Sequence, residues 1–164
     1  MKLYIAGPMS GIPSFNLSAF DDMAAWLREQ RHEVISPAEL DGEETRAVIM
    51  ASLTGNHKDL PPGETWGFYL ARDVKILADD GVEAIVVLPG WTRSPGALLE
   101  TFTARVLLGM PILRRQPWGE LALVSDSTLV NAWMEKMIGS VRPDLFNMKW
   151  KTRVRMSRVP RADE

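Results

Sequence analysis

The apolar segment Ala84-Ile-Val-Val-Leu88 constrains the fold of this chain more than any other feature. A short run of aliphatic residues bounded by turn residues is typical of a strand buried on both faces of a parallel sheet. A loop rich in Gly and Pro follows, and a helical pattern then extends from Pro95 to Gly109. This order predicts one unit of an open α/β sheet, in which ligands bind at the carboxyl ends of the strands.

The same loop brings polar groups to that end of the predicted sheet. It contains the hydroxyl of Ser94 and the small residue Gly96, and Glu100 follows in the first turns of the helix, where the helix dipole favours negative charge. A carboxylate held ionised beside a ligand cleft is a candidate nucleophile or base. The alternative for Glu100 is a solvated carboxylate on an amphipathic helix.

The rest of the chain extends this pattern. Further strands are predicted at 2–6, 32–36 and 111–113, with a short one at 121–124. One helix is predicted to begin with Ser14 or Asn16 as its N-cap. Further helices are predicted over 64–78 and over 128–138, while 43–53 has a weaker helical pattern and 54–63 is loop-like. Alternating strands and helices predict the α/β class, with four or five strands in a parallel sheet and helices on both faces.

Composition excludes several classes of function. The chain has 164 residues, of which 46% are apolar and 24% charged, as in an ordinary globular domain. Its net charge of −2 gives no general attraction to nucleic acid or to an anionic membrane. There is no cysteine, and the two histidines, His32 and His57, are far apart in sequence. These counts exclude disulfides, thiolate zinc sites and cysteine nucleophiles and make a histidine-rich metal site unfavourable. The reaction predicted below is expected to need no metal and no cofactor.

The location and the domain division are predicted in the same way. The amino-terminal apolar stretch is too short for a signal peptide, and no run approaches the roughly 20 apolar residues of a membrane span. The protein is predicted to be cytoplasmic. Residues 1–116 form the predicted α/β domain, and residues 117–164 a helical extension with a basic tail. Residues 149–161 of the tail alternate basic and apolar residues, which favours an edge strand or a subunit contact over phosphate binding.

Three segments together resemble the nucleoside 2-deoxyribosyltransferase-like superfamily, especially its small, often phage-encoded and largely uncharacterised branch. They are Tyr4-Ile-Ala-Gly-Pro-Met-Ser-Gly11, Trp66-Gly-Phe-Tyr-Leu-Ala-Arg-Asp73 and Leu88-Pro-Gly-Trp-Thr-Arg-Ser-Pro-Gly-Ala-Leu-Leu-Glu100. The likeness spans roughly residues 3–113. It implies a Rossmann-like, flavodoxin-type parallel sheet sandwiched by helices, which agrees with the independent prediction above.

The resemblance also implies a reaction and its residues. Members of the superfamily transfer a 2-deoxyribosyl group between bases or hydrolyse deoxynucleoside 5′-monophosphates. Glu100 lies where the family has its nucleophile, Asp73 where it has an acid–base aspartate, and Tyr4 where a tyrosine hydroxyl orients the nucleophile. Two carboxylates suit cleavage of a glycosidic bond, because one attacks the anomeric carbon while the other moves the proton. Asp73 as a surface charge beside Arg72, and Tyr4 as a packed core residue, are the alternatives.

Candidate substrate-binding groups surround these three residues. Loop amides near Gly7, Gly11 and Gly96, with the hydroxyls of Ser10 and Ser94, suit a sugar hydroxyl or a 5′-phosphate. Arg93 is a candidate for the charge that such a phosphate needs. Trp66 and Trp91 are the two remaining candidates. They could stack on a base, and the alternative is that they fill gaps between elements. Ser94 is also a candidate helix N-cap.

The predicted function is cleavage or transfer at the N-glycosidic bond of a 2′-deoxynucleoside or its 5′-monophosphate, by an enzyme that forms a homodimer or homotetramer. The alternatives are hydrolysis of another N-glycoside, such as a nicotinamide dinucleotide, and a non-catalytic nucleotide-binding module. A nucleic-acid binder led by the basic tail is a weaker alternative. The transferases complete their site with a polar residue from a neighbouring subunit, and Asn131 and Asn147 are both candidates here. The insertion at 42–63 leaves the base preference open.

Overall fold

The computed structural model describes residues 1–141 of the chain. The predicted tail strand at 149–161 and the candidate Asn147 lie outside these residues. The strands are β1 (Lys2–Ala6), β2 (Glu33–Ile35), β3 (Ala84–Val87), β4 (Ile112–Arg115) and β5 (Leu121–Leu123). The helices are α1 (Leu17–Glu29), α2 (Glu43–Ala51), α3 (Trp66–Asp79), α4 (Pro95–Phe102) and α5 (Asp126–Val141).

The five strands form one sheet with the order β2-β1-β3-β4-β5. The first four are mutually parallel, and β5 returns antiparallel to β4. This order is that of flavodoxin-type sheets, so the predicted α/β class is confirmed. In the centre of the sheet Tyr4 pairs with both Ile35 and Ile85.

The two faces of the sheet carry separate cores. Leu3 and Ile5 of β1 point to the face covered by α1 and α2. Tyr4 and Ala6 point to the opposite face, where α3, α4 and α5 pack. Successive side chains of a strand point to opposite faces, so the position of Tyr4 in β1 alone directs its ring toward α3 and α4.

Two helix boundaries differ from the sequence prediction. The predicted helix over 95–109 is α-helical only to Phe102 and continues as a π-helical turn over Thr103–Leu107. Asn16 precedes α1 but does not cap it with its side chain. Instead Ser14, Phe15 and Asn16 have φ values of 50°, 49° and 62°, and the Asn16 Nδ2 donates to the carbonyl of Pro8 at 2.8 Å. The predicted capping interaction is therefore replaced by a left-handed turn.

The segment after 116 continues the same fold within the described residues. β5 pairs with β4, and α5 contributes Leu129 and Ala132 to the core beneath α3 and α4. Among the helices of residues 1–141, none has the length and apolar character of a membrane span.

Candidate active site

A cavity of about 840 Å³ opens at the carboxyl ends of β1 and β3. These strands are neighbours, but the chain leaves β1 toward α1 on one face and leaves β3 toward α4 on the other. Ligands of open α/β sheets bind where neighbouring connections separate in this way. Gly7 allows the two loops to approach, because a Cβ at this position would lie 2.7 Å from Cδ1 of Leu88.

Tyr4 and Glu100 meet at the base of this cavity. The hydroxyl of Tyr4 donates a hydrogen bond of 3.1 Å to Oε1 of Glu100. Tyr4 is fully buried in β1, and the Glu100 residue on α4 is 6% exposed. Glu100 is therefore not a solvated helix carboxylate. Tyr4 fills the core, as one interpretation predicted, and also orients the Glu100 carboxyl, as the other predicted.

Asp73 of α3 lines the cavity with Glu100. The residue is 7% exposed, and its Oδ1 accepts a 3.0 Å hydrogen bond from Nε of Arg72. Burial is the main cause that raises the pKa of Tyr4 and of Glu100, and the negative charge of Asp73 raises both further. The structure thus brings Asp73 to the same cavity as the hydrogen-bonded pair of Tyr4 and Glu100, and Asp73 is not a surface charge.

Burial dominates the ionisation of both acids. Loss of hydration, together with the charge of Asp73, raises the pKa of Glu100 to about 8, although the bond from Tyr4 and the charge of Arg72 oppose this rise. Burial also raises the pKa of Asp73, against the nearby Arg72. A buried acid with a pKa near neutrality is suited to proton transfer and marks a candidate functional site.

Two charged residues on the cavity wall, Asp41 and Arg72, had no predicted role in the site. The Arg72 Nη1 donates to Oδ1 of Asp41 at 2.6 Å, and its guanidinium carbon lies 4.9 Å from the centre of the Tyr69 ring. Asp41 precedes α2 in a segment without a clear pattern. No local signal pairs it with a residue 31 positions later.

The cavity wall also carries hydroxyl, imidazole and guanidinium groups outside this acidic cluster. The Ser10 Oγ lies 3.0 Å from Nε2 of His57, a residue for which the sequence suggested no role. Ser94 serves in both predicted ways, because its hydroxyl accepts from the amide of Ala97 at the start of α4 and it also lines the cavity. The other predicted binding residues on the wall are Gly7, Trp66, Arg93 and Gly96.

Two predicted binding residues are placed elsewhere. Trp91 is 7% exposed, packs in the core beneath α4 and is not among the residues lining the cavity, so it is not positioned to stack on a base. Gly11 also lies off the cavity wall, and its amide donates to the carbonyl of Gly55 at 2.9 Å. Its positive φ of 78° explains the glycine as a turn residue. Asn131 of α5 does not line the cavity of its own chain, and its contribution to the site of a neighbouring subunit stays a prediction.

No group of three or more His, Asp or Glu side chains within residues 1–141 is arranged to hold a metal ion. The acids of the cavity instead face a guanidinium and a phenol. This arrangement can supply one carboxyl group that attacks a substrate or accepts a proton and a second carboxyl group that donates a proton. It also offers loop amides beside a helix N-terminus.

Fold and site together define a flavodoxin-type α/β domain with a pair of buried acids in the cavity between β1 and β3. Residues 1–114 match the family described as "Domain of unknown function (DUF4406)", and the chain belongs to this family. Neither a curated protein nor a solved structure matches the chain.

Proposed function

We propose that this protein cleaves or transfers at the N-glycosidic bond of a 2′-deoxynucleoside or its 5′-monophosphate. The observation that supports the proposal is that two buried acids, Glu100 and Asp73, line one cavity and that the Tyr4 hydroxyl fixes the Glu100 carboxyl there. The resemblance to the nucleoside 2-deoxyribosyltransferase-like superfamily supplies the substrate class. Glycoside chemistry with retention needs two such acids.

The two acids have different roles in the proposed reaction. A carboxylate oxygen of Glu100 attacks C1′ of the sugar, the C–N bond breaks, and its electron pair goes to the base nitrogen. Asp73 protonates that nitrogen as general acid. Asp73, now ionised, takes a proton from water or an acceptor base, which attacks C1′ and releases Glu100. The two displacements give net retention at C1′.

The cavity wall supports the binding of such a substrate. The volume of the cavity lies within the range of small-molecule sites, about 300 to 1,000 Å³. Trp66 offers a half-exposed ring for a base, while Ser10 and Ser94 offer hydroxyls to the sugar or a 5′-phosphate. The amides at the start of α4 favour an anion, and Arg93 adds a positive charge.

The test is base release from a panel of deoxynucleosides and their 5′-monophosphates, with and without acceptor bases. Glu100→Gln is expected to lower kcat at least 1,000-fold, on the order of the loss seen when an activated nucleophile is removed. Asp73→Asn is expected to lower it about 100-fold or more, as for loss of a general acid. Glu135→Gln, an exposed residue of α5, is the matched control. Near-normal base release by Glu100→Gln contradicts the mechanism.

A second candidate function follows from the raised pKa of Glu100. With a pKa of about 8 the carboxyl is mostly protonated at neutral pH in the ligand-free cavity. A neutral carboxyl donates a hydrogen bond to a ligand but does not attack it, which suits a nucleotide-binding module without turnover. That function predicts thermal stabilisation by nucleotides and no base release after long incubation at pH 7 to 9.

The proposal includes a cytoplasmic location and a homodimer or homotetramer. Support for assembly comes from apolar side chains that α4 and α5 leave exposed, including Phe102, Val130 and Met134. Exposed apolar area of this kind is typical of protein–protein contacts.

A further inference from the structure

Three acids and one guanidinium share the charged wall of the cavity: Asp41, Asp73, Glu100 and Arg72. Arg72 is the centre of this group. Its Nε donates to Asp73 at 3.0 Å and its Nη1 to Asp41 at 2.6 Å, so the two sides of one planar group hold two acids from different segments.

The environment keeps this guanidinium in one orientation. The Arg72 side chain is 20% exposed and the Asp41 side chain 9%. The Tyr69 ring lies under the guanidinium at 4.9 Å, and the Tyr69 hydroxyl is itself hydrogen-bonded to Glu64. A planar group with fixed donors can hold two acids at once, which a lysine ammonium on a flexible chain does less well.

We propose that Arg72 is a positioning residue for the reaction: anchored by Asp41, its guanidinium holds the Asp73 carboxyl on the cavity wall that also carries Glu100, and sets the charge of the Asp73–Glu100 pair. This inference rests on the proposed function. Arg72 acts through Asp73 and Glu100 and is not assigned any contact with the reacting atoms.

The role of Arg72 follows from the charges of the groups around it. Attack needs Glu100 ionised and Asp73 protonated, but the two acids are close enough for the charge of Asp73 to raise the pKa of Glu100. Arg72 opposes this by lowering the pKa values of both. Asp41 acts in the other direction, because its negative charge raises the pKa of Asp73. The two residues therefore influence the catalytic pair with opposite signs.

Other charged groups that face this cluster come from the neighbouring elements. Arg46 of α2 lowers the pKa of Asp41, and Glu64, which precedes α3, raises it. Tyr4 of β1 donates to Glu100. Among the charged groups of residues 1–141 that act on this cluster, Arg72 is the cation that bonds to both Asp41 and Asp73.

The experiment compares Arg72→Gln, Asp41→Asn and Arg72→Lys with the wild type. Arg28→Gln is the matched control, because Arg28 makes a similar two-pronged contact to Glu39, at 2.7 and 2.6 Å, away from the cavity. Two readouts are used. The first is the NMR titration of isotope-labelled side-chain carboxyls, assigned with Glu100→Gln and Asp73→Asn. The second is the pH profile of kcat/KM for base release.

In Arg72→Gln both titration midpoints are expected to rise by about one pH unit, the order of the effect of one nearby opposite charge. The pH profile should move with them, with a larger loss in kcat than change in KM. Asp41→Asn should shift the Asp73 midpoint down. Arg72→Lys should restore the midpoints while recovering only part of kcat, and Arg28→Gln should leave the midpoints at their wild-type positions.

Unchanged midpoints in Arg72→Gln, or shifts of the same sign in Arg72→Gln and Asp41→Asn, overturn the inference. A fold defect alone produces no opposite shifts, and Asp41→Asn keeps the test decisive if Arg72→Gln does not fold. Absence of base release by the wild type overturns the proposed reaction separately. The titrations need no substrate and still decide whether Arg72 sets the charge of the pair.

Discussion

Burial of a single carboxyl links chemistry and stability in this protein. Glu100 lies inside the domain with one hydrogen bond from Tyr4, and burial raises its pKa to about 8. In the proposed reaction Glu100 attacks as the anion. Because Asp73 must still carry its proton in that state, the reactive pair holds one proton in total, and we expect kcat/KM to fall as pH rises through about 8, where this proton is lost.

The same group makes stability depend on pH. An unfolded chain releases the Glu100 proton near the ordinary value of 4.5, whereas the folded protein keeps it to about 8. Between these values the native state binds more protons, so stability falls as pH rises, by up to about 1.4 kcal/mol per pH unit for one group.

Glu100→Gln lacks this titration, so its stability relative to the wild type should increase from pH 5 to pH 8. Urea unfolding of both proteins across this range measures the difference. Glu135→Gln should run parallel to the wild type. Parallel curves for Glu100→Gln as well would mean that Glu100 titrates near its ordinary value.

At the scale of elements, the β1–α1 loop and the insertion at 42–63 together form one side of the cavity. The left-handed turn at 14–16 is costly for residues with a Cβ, about 1 to 2 kcal/mol each. Contacts from the insertion hold it: the Ser14 amide donates to the carbonyl of Ser52 at 2.7 Å, and its hydroxyl donates to the carbonyl of Met50 at 2.8 Å. The insertion therefore shapes the cavity.

Gly55 lies against the β1–α1 loop at a point that leaves no room for a side chain. A Cβ at this position would lie 2.1 Å from the carbonyl oxygen of Ile12, a residue that lines the cavity, and its φ is +62°. Gly55→Ala is expected to destabilise the protein by more than about 2 kcal/mol, since both strain and a backbone clash act. It should also weaken substrate binding.

Gly63→Ala separates the two causes. Gly63 also has a positive φ, of +93°, but a Cβ there meets no atom within 4 Å. Gly63→Ala is expected to lower the free energy of unfolding by about 1 kcal/mol, from backbone strain alone. Urea unfolding and substrate KM compare the two variants. Equal effects of Gly55→Ala and Gly63→Ala would show that the close approach of Gly55 to Ile12 does not contribute to stability.

At the scale of the whole molecule, the described residues leave apolar side chains exposed on the outer helices. Val130 and Met134 of α5 are 45% and 51% exposed, and Phe102 of α4 is 36% exposed. A homo-oligomer buries such surface between copies, most often around a two-fold axis.

Sedimentation velocity is expected to show a homodimer or homotetramer at micromolar concentration. Met134→Glu should shift the equilibrium toward monomer, because a charge buried at an interface is unfavourable. Met50→Glu on α2, a Met of 59% exposure on the other face of the sheet, should leave the assembly intact. A wild-type monomer at all concentrations would contradict the prediction.

Which site residues could be predicted depended on whether their signal was local. Glu100 follows a strand and a loop within one continuous segment, so its position at the sheet edge could be predicted from order alone. Tyr4 and Asp73 needed the family resemblance, because a tyrosine in a strand and an aspartate on a helix are common. Arg72 and His57 were missed. Their partners Asp41 and Ser10 are 31 and 47 positions away, and no sequence period connects such distances.

The sequence by itself determined the order of strands and helices, since periodic burial of apolar side chains is written in consecutive residues. It thereby also determined which face of β1 carries Tyr4. Tertiary structure alone decided that β5 runs antiparallel, that residues 14–16 turn left-handed, and that Asp41 shares Arg72 with Asp73. These features depend on the packing of segments distant in the chain, where the energy of each contact exists only after folding has brought the partners together.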